Sequence, residues 1–282
     1  MAQIPSYRFC DILRYGWAQP GLAKRQDAMG YVLNGVPISE EEYRRLTPSE
    51  KLCVFCKTRL KFVKSEKLEA AEPLALEPSL WRCPSCGFWT VSHGIGSTYG
   101  GYWRCCAGKL AEYPETASNV PLSELAHFLR LHPERIHDIS PTALEKLIAE
   151  CFRSTDDYAD VVHVGRPDDG GIDVLLVTQE RQKVLVQVKR RASEKVESVS
   201  TIRNLLGAMV PEGALQGIVV STADHFSYRA ETFVQSLATT GTAYRIELRD
   251  LGRVRLMVED IPDPKPWLPY LSIPKGSDPP FY

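Results

Sequence analysis

The stretch that decides the fold is Asp168–Arg191, DDGGIDVLLVTQERQKVLVQVKRR. It contains two short apolar runs, which are separated by the polar, turn-sized spacer Gln179–Gln182. Runs of this length predict two β-strands joined as an antiparallel hairpin. Asp173 lies at the start of the first strand, and Gln187 and Lys189 lie two positions apart on the second. Because side chains at i and i+2 share one face of a strand, we expect the hairpin to bring together a carboxylate, an amide oxygen and an ammonium.

Oxygen ligands beside a lysine suit a magnesium-bound phosphate ester that is attacked by water. The segment D-G-G-I-D at Asp169–Asp173, followed by a strand that ends Q-V-K, resembles the Mrr-like branch of the PD-(D/E)xK nucleases. That branch commonly carries Q-x-K in place of E-x-K. It also carries a glutamate on a preceding helix, and Glu145 fills this place, with Leu144 where the family usually has an aromatic residue. The resemblance covers roughly the second half of the chain.

The resemblance implies a catalytic site with a magnesium or manganese ion. Asp173 is the expected primary metal ligand, joined by the side-chain oxygen of Gln187 and the carbonyl of Val188. Glu145 would bind the ion directly or through water, and Lys189 would hold the attacking water and offset charge on the phosphate. The alternative is that Asp173 is a turn residue and Lys189 a solvated strand end.

Basic residues continue beyond the second strand at Arg190, Arg191 and Lys195. They are expected to contact DNA phosphates near the site, although exposed basic residues are often simply solvated. Glu150 competes with Glu145 for the role on the upstream helix. Two other functions stay open: a catalytically inactive nucleic-acid-binding protein, and a zinc-ribbon interaction module on a nuclease-like scaffold.

The first half of the chain contains two C-x-x-C pairs. They are Cys53 with Cys56 and Cys83 with Cys86. Two thiolates three positions apart on a tight turn can hold one tetrahedral zinc ion, and two such turns complete its four ligands. Four thiolates leave no open coordination position, so the sequence predicts a structural zinc. Cys105, Cys106 and His93 are further ligand candidates, although Cys105 and Cys106 also suit buried small positions.

Composition predicts a globular protein of more than one domain. The chain has 282 residues, of which 44% are hydrophobic, and a formal charge of -1, which argues against a wholly basic nucleic-acid coat but not against a local basic groove. We expect no membrane span and no signal peptide, hence a cytoplasmic location. In such a location the paired cysteines favour metal over disulfides.

The order of predicted elements after the zinc module is strand, hairpin, helix, strand, helix, strand. This order predicts an α/β sandwich with a mixed central sheet, which the resemblance makes a restriction-endonuclease-like sandwich preceded by a small four-cysteine zinc-ribbon-like domain. The expected domains are an N-terminal segment of unclear fold at 1–50, the zinc-ribbon-like module at 51–113, a linker and helix at 114–140, the Mrr-like nuclease domain at 141–255 and a Pro-rich tail at 256–282.

Aromatic residues crowd the second half of the zinc module, namely Trp81, Phe88, Trp89, Tyr99, Tyr102 and Trp103. We expect them to form the small core that a metal-stabilised module needs, with a base-stacking platform as the alternative. The expected partners are DNA, a second copy of the chain in a homodimer, and a protein partner of the zinc module. The resemblance implies a role in prokaryotic restriction or antiviral defence.

Overall fold

A computed structural model describes most of the chain. The described residues are 3–16, 31–33, 36–39, 41, 51–53, 55–63, 75–95, 102–165, 171–192, 194–265 and 267–268, with the backbone alone for 5–16, 31–38, 75–79, 91–95 and 102–111. The chain divides into two compact units. The first unit consists of Met1–Ile4 and Tyr113–Pro264, and the second of Pro5–Glu112 and Lys265–Tyr282.

The first unit contains a five-stranded mixed sheet. In chain order its strands are β8 (Tyr158–His163), β9 (Val174–Thr178), β10 (Lys183–Lys189), β12 (Gln216–Ser221) and β14 (Arg245–Arg249). Their spatial order is β14-β12-β10-β9-β8. The strand β10 is parallel to β12 and antiparallel to β9, which confirms the predicted hairpin and the mixed sheet. A separate parallel pair consists of β11 (Val196–Glu197) and β13 (His225–Phe226).

Five α-helices accompany the sheet in the described part of this unit. They are α1 (Leu122–Leu131), α2 (Pro141–Arg153), α3 (Val199–Glu212), α4 (Tyr228–Thr239) and α5 (Leu251–Glu259), with a 3-10 helix at Pro133–His137. Ser140 caps the start of α2, because its hydroxyl accepts a hydrogen bond from Ala143 N at 3.1 Å and so satisfies one of the free N–H groups of the first turn.

The apolar core around α3 fixes the strand β10 in place. Leu185 of β10 and Val219 of β12 pack with Leu205 and Met209 of α3, and all four are buried. Burial of each such side chain contributes about 1.5–3 kcal/mol to the stability of the fold. Gly217 permits the close approach, since a Cβ there would lie 2.8 Å from Met209 Sδ. The two strand residues proposed for the site, Gln187 and Lys189, therefore lie on a rigidly packed strand.

The second unit is built on a seven-stranded sheet. In chain order its strands are β1 (Gln3–Gly16), β2 (Tyr31–Leu33), β3 (Val36–Ile38), β4 (Lys61–Val63), β5 (Ala75–Arg82), β6 (Trp89–Ile95) and β7 (Tyr102–Pro114). Their spatial order is β3-β2-β1-β7-β6-β5-β4. Strands from the expected segment of unclear fold and from the expected zinc module thus share one sheet.

Two helices complete the nuclease unit. The helix α4 begins at Tyr228, because Phe226 belongs to β13 and the Ser227 hydroxyl caps the helix, accepting from Ala230 N at 3.3 Å. The domain boundary expected at residue 255 falls inside α5, a helix that the sequence pattern did not predict. Among the described helices, none is long and apolar enough to cross a membrane.

Candidate active site and metal centre

Asp173 is fixed against the end of β10 by three backbone interactions. Its N–H donates to Val186 O at 2.9 Å, and its Oδ2 accepts from Val188 N at 2.6 Å. Its carbonyl accepts from Val164 N at 2.9 Å. The carboxylate therefore lies where the hairpin opens, beside the residue between Gln187 and Lys189.

Gln187 is the unusual side chain of this site. It is only 2% exposed, and its Oε1 has no hydrogen-bond partner among the described residues. An unsatisfied buried acceptor costs about 1–3 kcal/mol, and a hard cation or an ordered water would remove that cost. The donor set of Asp173 and Gln187, with the carbonyl of Val188, fits magnesium because it consists of oxygen atoms only.

Gly171 lies close to the side-chain amide of Gln187. Its φ of +84° belongs to the region that favours glycine, and a Cβ there would lie 2.5 Å from Gln187 Nε2. A side chain at this position would therefore strain the backbone and displace the amide. This explains the second glycine of the D-G-G-I-D segment. Asp168 and Asp169 lie outside the described residues.

Glu145 on α2 reaches the same end of the sheet. Its Oε2 lies 3.1 Å from His163 Nε2, and the two side chains are 17% and 22% exposed. Gly165, with φ +41°, brings the backbone close to both, since a Cβ there would lie 3.2 Å from Glu145 Oε2. Val164, which lies between His163 and Gly165, donates its backbone N–H to the carbonyl of Asp173. This hydrogen bond connects the turn that contacts Glu145 to the Asp173 segment. Glu150, the competing candidate, pairs instead with Arg153 at 2.9 Å.

Among the basic candidates, Arg191 has a buried acidic partner. Its Nε and Nη2 donate to the two oxygens of Glu197, each at 2.8 Å, and the Glu197 side chain is fully buried. Arg190 donates through Nη1 to His137 O at 2.6 Å. Lys195 is exposed. The two arginine side chains are thus held by the fold, whereas the Lys195 side chain extends into solvent.

Glu197 was not singled out by the sequence. It also accepts from Thr201 Oγ1 at 2.7 Å and Ser221 Oγ at 3.0 Å. Burial alone would raise the pKa of Glu197, but the hydrogen bonds from Arg191, Thr201 and Ser221 outweigh it and lower that pKa. No local motif marks the residue, because its partners come from three other parts of the chain.

The four cysteines of the two C-x-x-C pairs come together in the second unit. Their sulfurs all lie within 4.8 Å of one another, with Cys53 to Cys86 and Cys56 to Cys83 both at 3.4 Å. Each pair sits on a tight turn: Lys57 N donates to Cys53 O at 3.0 Å, and Gly87 N to Cys83 O at 3.1 Å. This set of sulfur ligands fits a structural zinc.

In the described part of the chain the four cysteines are the only cluster of three or more His, Cys, Asp or Glu ligand atoms. A cation at the nuclease site would therefore depend on the amide of Gln187, the Val188 carbonyl and water as well as on carboxylates. The side chains of Cys105, Cys106 and His93 lie outside the described residues.

The five-stranded sheet is mixed, and an aspartate and a Q-x-K sequence lie at one end of its hairpin β9–β10, with a glutamate on a preceding helix. These features define a restriction-endonuclease-like domain. Residues 136–257 match the Mrr_cat family model, a restriction endonuclease. This segment is therefore a restriction endonuclease domain of that family, and it contains Glu145, Asp173, Gln187 and Lys189.

Several solved nucleases are similar in structure. They include the ATP-dependent Type ISP restriction-modification enzyme LlaBIII bound to DNA, with 17% identity, a TM-score of 0.33, and coverage of 46% of this chain and 8% of that one. A repair endonuclease from Pyrococcus abyssi has 11% identity and a TM-score of 0.26 over 88% of this chain and 87% of its own. The DNA modification-dependent restriction endonuclease AspBHI has 12% identity and a TM-score of 0.35 over 64% and 59%. No curated protein matches the sequence.

Proposed function

We propose that the protein is a divalent-metal-dependent DNA endonuclease whose catalytic residues are Glu145, Asp173, Gln187 and Lys189. The observation that carries this proposal is the buried Oε1 of Gln187 beside the fixed carboxylate of Asp173. This Oε1 has no hydrogen-bond partner among the described residues. A satisfied core amide would need no ligand, whereas this one leaves an acceptor that a cation can fill. The family match of residues 136–257 supports the same reaction class.

The residues divide the chemistry between them. Asp173, Glu145, Gln187 and the Val188 carbonyl would hold magnesium or manganese, which when bound neutralises phosphate charge and favours ionised water. Lys189, two positions from Gln187 on one face of β10, would orient the attacking water and stabilise charge that develops on the phosphate. The four-cysteine zinc site has no open position, so it would support the fold and not the reaction.

DNA contacts next to this site would come from the basic residues that follow β10. Lys195 is exposed and would contact phosphates directly. Arg191 is held by Glu197 and would present a fixed charge, and Arg190 is held at His137 O. Cleavage of both strands by one site per chain would require a homodimer. A role in prokaryotic restriction or antiviral defence, in the cytoplasm, is the biological setting that we propose.

The experiment is cleavage of supercoiled plasmid, unmodified and methylated, with magnesium or manganese. Asp173→Asn and Lys189→Met should each slow cleavage by at least about 100-fold, the cost of removing one preorganised charge-stabilising group. Lys183→Met is the matched control, because Lys183 lies at the other end of the same strand and pairs with Glu212 at 3.0 Å; it should cleave at the parental rate.

Two results would count against the proposal. Cleavage by Asp173→Asn or Lys189→Met at the parental rate would place the active site elsewhere. A parent protein that binds plasmid but cleaves none of the substrates with either metal would favour the catalytically inactive nucleic-acid-binding protein.

A further inference from the structure

The turn and strand around the first C-x-x-C pair expose two phenylalanines. Phe55 is 46% exposed and Phe62 is 51% exposed. Large apolar rings on a surface mark a binding site more often when they are grouped with other recognition groups than when they are scattered. The residues that surround these rings therefore decide what the surface binds. We call this surface the knuckle face and define it by Lys51, Phe55, Lys57, Arg59 and Phe62.

The knuckle face has only one sign of charge. Residues 51–63 contain four basic residues and no acidic residue, in a chain whose formal charge is -1. All four basic side chains are exposed. The positive charge is therefore a local concentration, which attracts a polyanion even though the whole chain is nearly neutral.

Each of the two exposed rings packs against a neighbouring ring. Phe55 packs at an angle of 70° against the buried ring of Phe88, with centroids 5.4 Å apart. Phe62 packs at 61° against Trp81, with centroids 5.2 Å apart, and Lys51 lies over the same Trp81 ring at 4.3 Å. A ring that is fixed before binding loses little conformational entropy when a partner stacks on it.

We propose that the knuckle face binds DNA with unpaired bases. Lysine and arginine side chains would contact the phosphates, and bases would stack on Phe55 and Phe62, as on other single-strand platforms. In an intact duplex the base faces are already stacked on one another, so aromatic stacking selects single-stranded or opened DNA. The knuckle face shares no residue with the nuclease site, and the proposal does not rest on cleavage.

The test measures the affinity of the protein for a short fluorescein-labelled oligothymidylate and for a labelled duplex of equal length. Binding is followed by fluorescence anisotropy. The protein is full-length and zinc-loaded, and no magnesium is added. Phe55→Leu and Phe62→Leu keep apolar volume but remove the π face, and each should weaken single-strand binding at least about fivefold. Phe55→Trp and Phe62→Trp keep a π face and should bind like the parent. Tyr228→Leu, at an 81% exposed aromatic on α4, is the control and should also bind like the parent.

Charge is tested separately through the salt dependence. Arg59→Gln and Lys51→Gln should each reduce the slope of log affinity against log salt by about 0.7, the value for one lost phosphate contact on a single strand. Zinc content and circular dichroism must match the parent in every variant that is compared.

Three results would each overturn the proposal: unchanged single-strand affinity in both leucine variants, an equal loss for single strand and duplex, or no single-strand binding by the parent. The last result would leave the knuckle face to a protein partner.

Discussion

In the proposed site, Gln187 would occupy the position where most PD-(D/E)xK enzymes have a carboxylate, and its Oε1 is buried without a partner among the described residues. A neutral amide oxygen binds a hard cation more weakly than a carboxylate does. We therefore expect cleavage to require relatively high magnesium, with manganese more effective at low concentration. The ion would be held mainly by the charges of Asp173 and Glu145.

Substitution of Gln187 tests this role directly. Gln187→Ala should lose most activity, because an oxygen ligand disappears. Gln187→Glu should keep activity and need less magnesium, because it adds a charge in nearly the same volume. Magnesium titrations of the cleavage rate in the parent and both variants provide the measurement. An unchanged half-saturating magnesium concentration in both variants would mean that Gln187 does not contact the ion.

His163 is expected to position Glu145 through its hydrogen bond at 3.1 Å. His163→Leu should reduce cleavage by about tenfold, since a hydrogen bond to a charged group is worth roughly 1.5–3 kcal/mol. His163→Gln offers an amide donor at this position and should recover most of the rate. Cleavage rates and half-saturating magnesium are measured for both. Equal defects in the two variants would show that only the shape of His163 matters.

At the scale of elements, Glu197 joins four parts of the nuclease unit. It lies on β11 and accepts hydrogen bonds from Arg191 after β10, Thr201 of α3 and Ser221 of β12. This one buried carboxylate thus ties the strand that carries Gln187 and Lys189 to its neighbours. Its pKa is lowered in the folded protein, although burial alone would raise it.

The lowered pKa of Glu197 predicts how stability varies with pH. Because the folded pKa lies below the ordinary value of 4.5, the stabilisation is complete above that pH and is lost as the pH falls through the folded pKa. Glu197→Gln should lower the free energy of unfolding at neutral pH by about 1–3 kcal/mol and flatten its decline in acid. Urea unfolding at several pH values measures both effects.

Glu212→Gln is the control for Glu197, because Glu212 is 45% exposed and pairs only with Lys183 among the ion pairs of the described chain. It should change the unfolding free energy little. If Glu197→Gln declined in acid as steeply as the parent, the acid sensitivity would come from other carboxylates.

The two cysteine turns make a second prediction at this scale. Protein purified without added metal should contain about one zinc per chain. Cys53→Ser or Cys86→Ser should lose the metal and destabilise the seven-stranded unit, since both contribute to the same cluster of sulfurs. Elemental analysis and thermal unfolding provide the measurements, with Cys151→Ser as a control for loss of a buried thiol that belongs to the nuclease unit. Full zinc retention in both variants would refute this ligand set.

For the whole molecule, the sequence predicted what depends on local pattern. The strands β9 and β10 follow from two apolar runs, and α2 from its Ser140 cap and apolar stripe. The element order correctly predicted a mixed sheet. The short strands β11 and β13 have two residues each, which is too few for any periodicity to appear. Helix α5 has only two buried residues, Val254 and Val258, and charged residues stand next to both. Its amphipathic pattern is therefore weak.

The residues of the proposed site differ in how far the sequence indicates them. Asp173, Gln187 and Lys189 could be proposed together because a hairpin keeps them near one another in sequence. His163 and Glu197 could not, since each acquires its role from partners on other elements. Phe55 and Phe62 were also missed: the aromatics that the sequence emphasised include Phe88 and Trp89, which are buried core residues as expected.

The chain leaves the seven-stranded unit at Glu112 and returns to it at Lys265, after residues 113–264 of the nuclease unit. On its return, Trp267 packs against Trp89 with ring centroids 6.2 Å apart. If the intervening roughly 150 residues were unfolded, closing so long a loop would cost on the order of 4 kcal/mol in chain entropy. A folded nuclease unit removes that cost, so the order of folding favours the nuclease unit first and makes the docking of the Trp267 segment a late event.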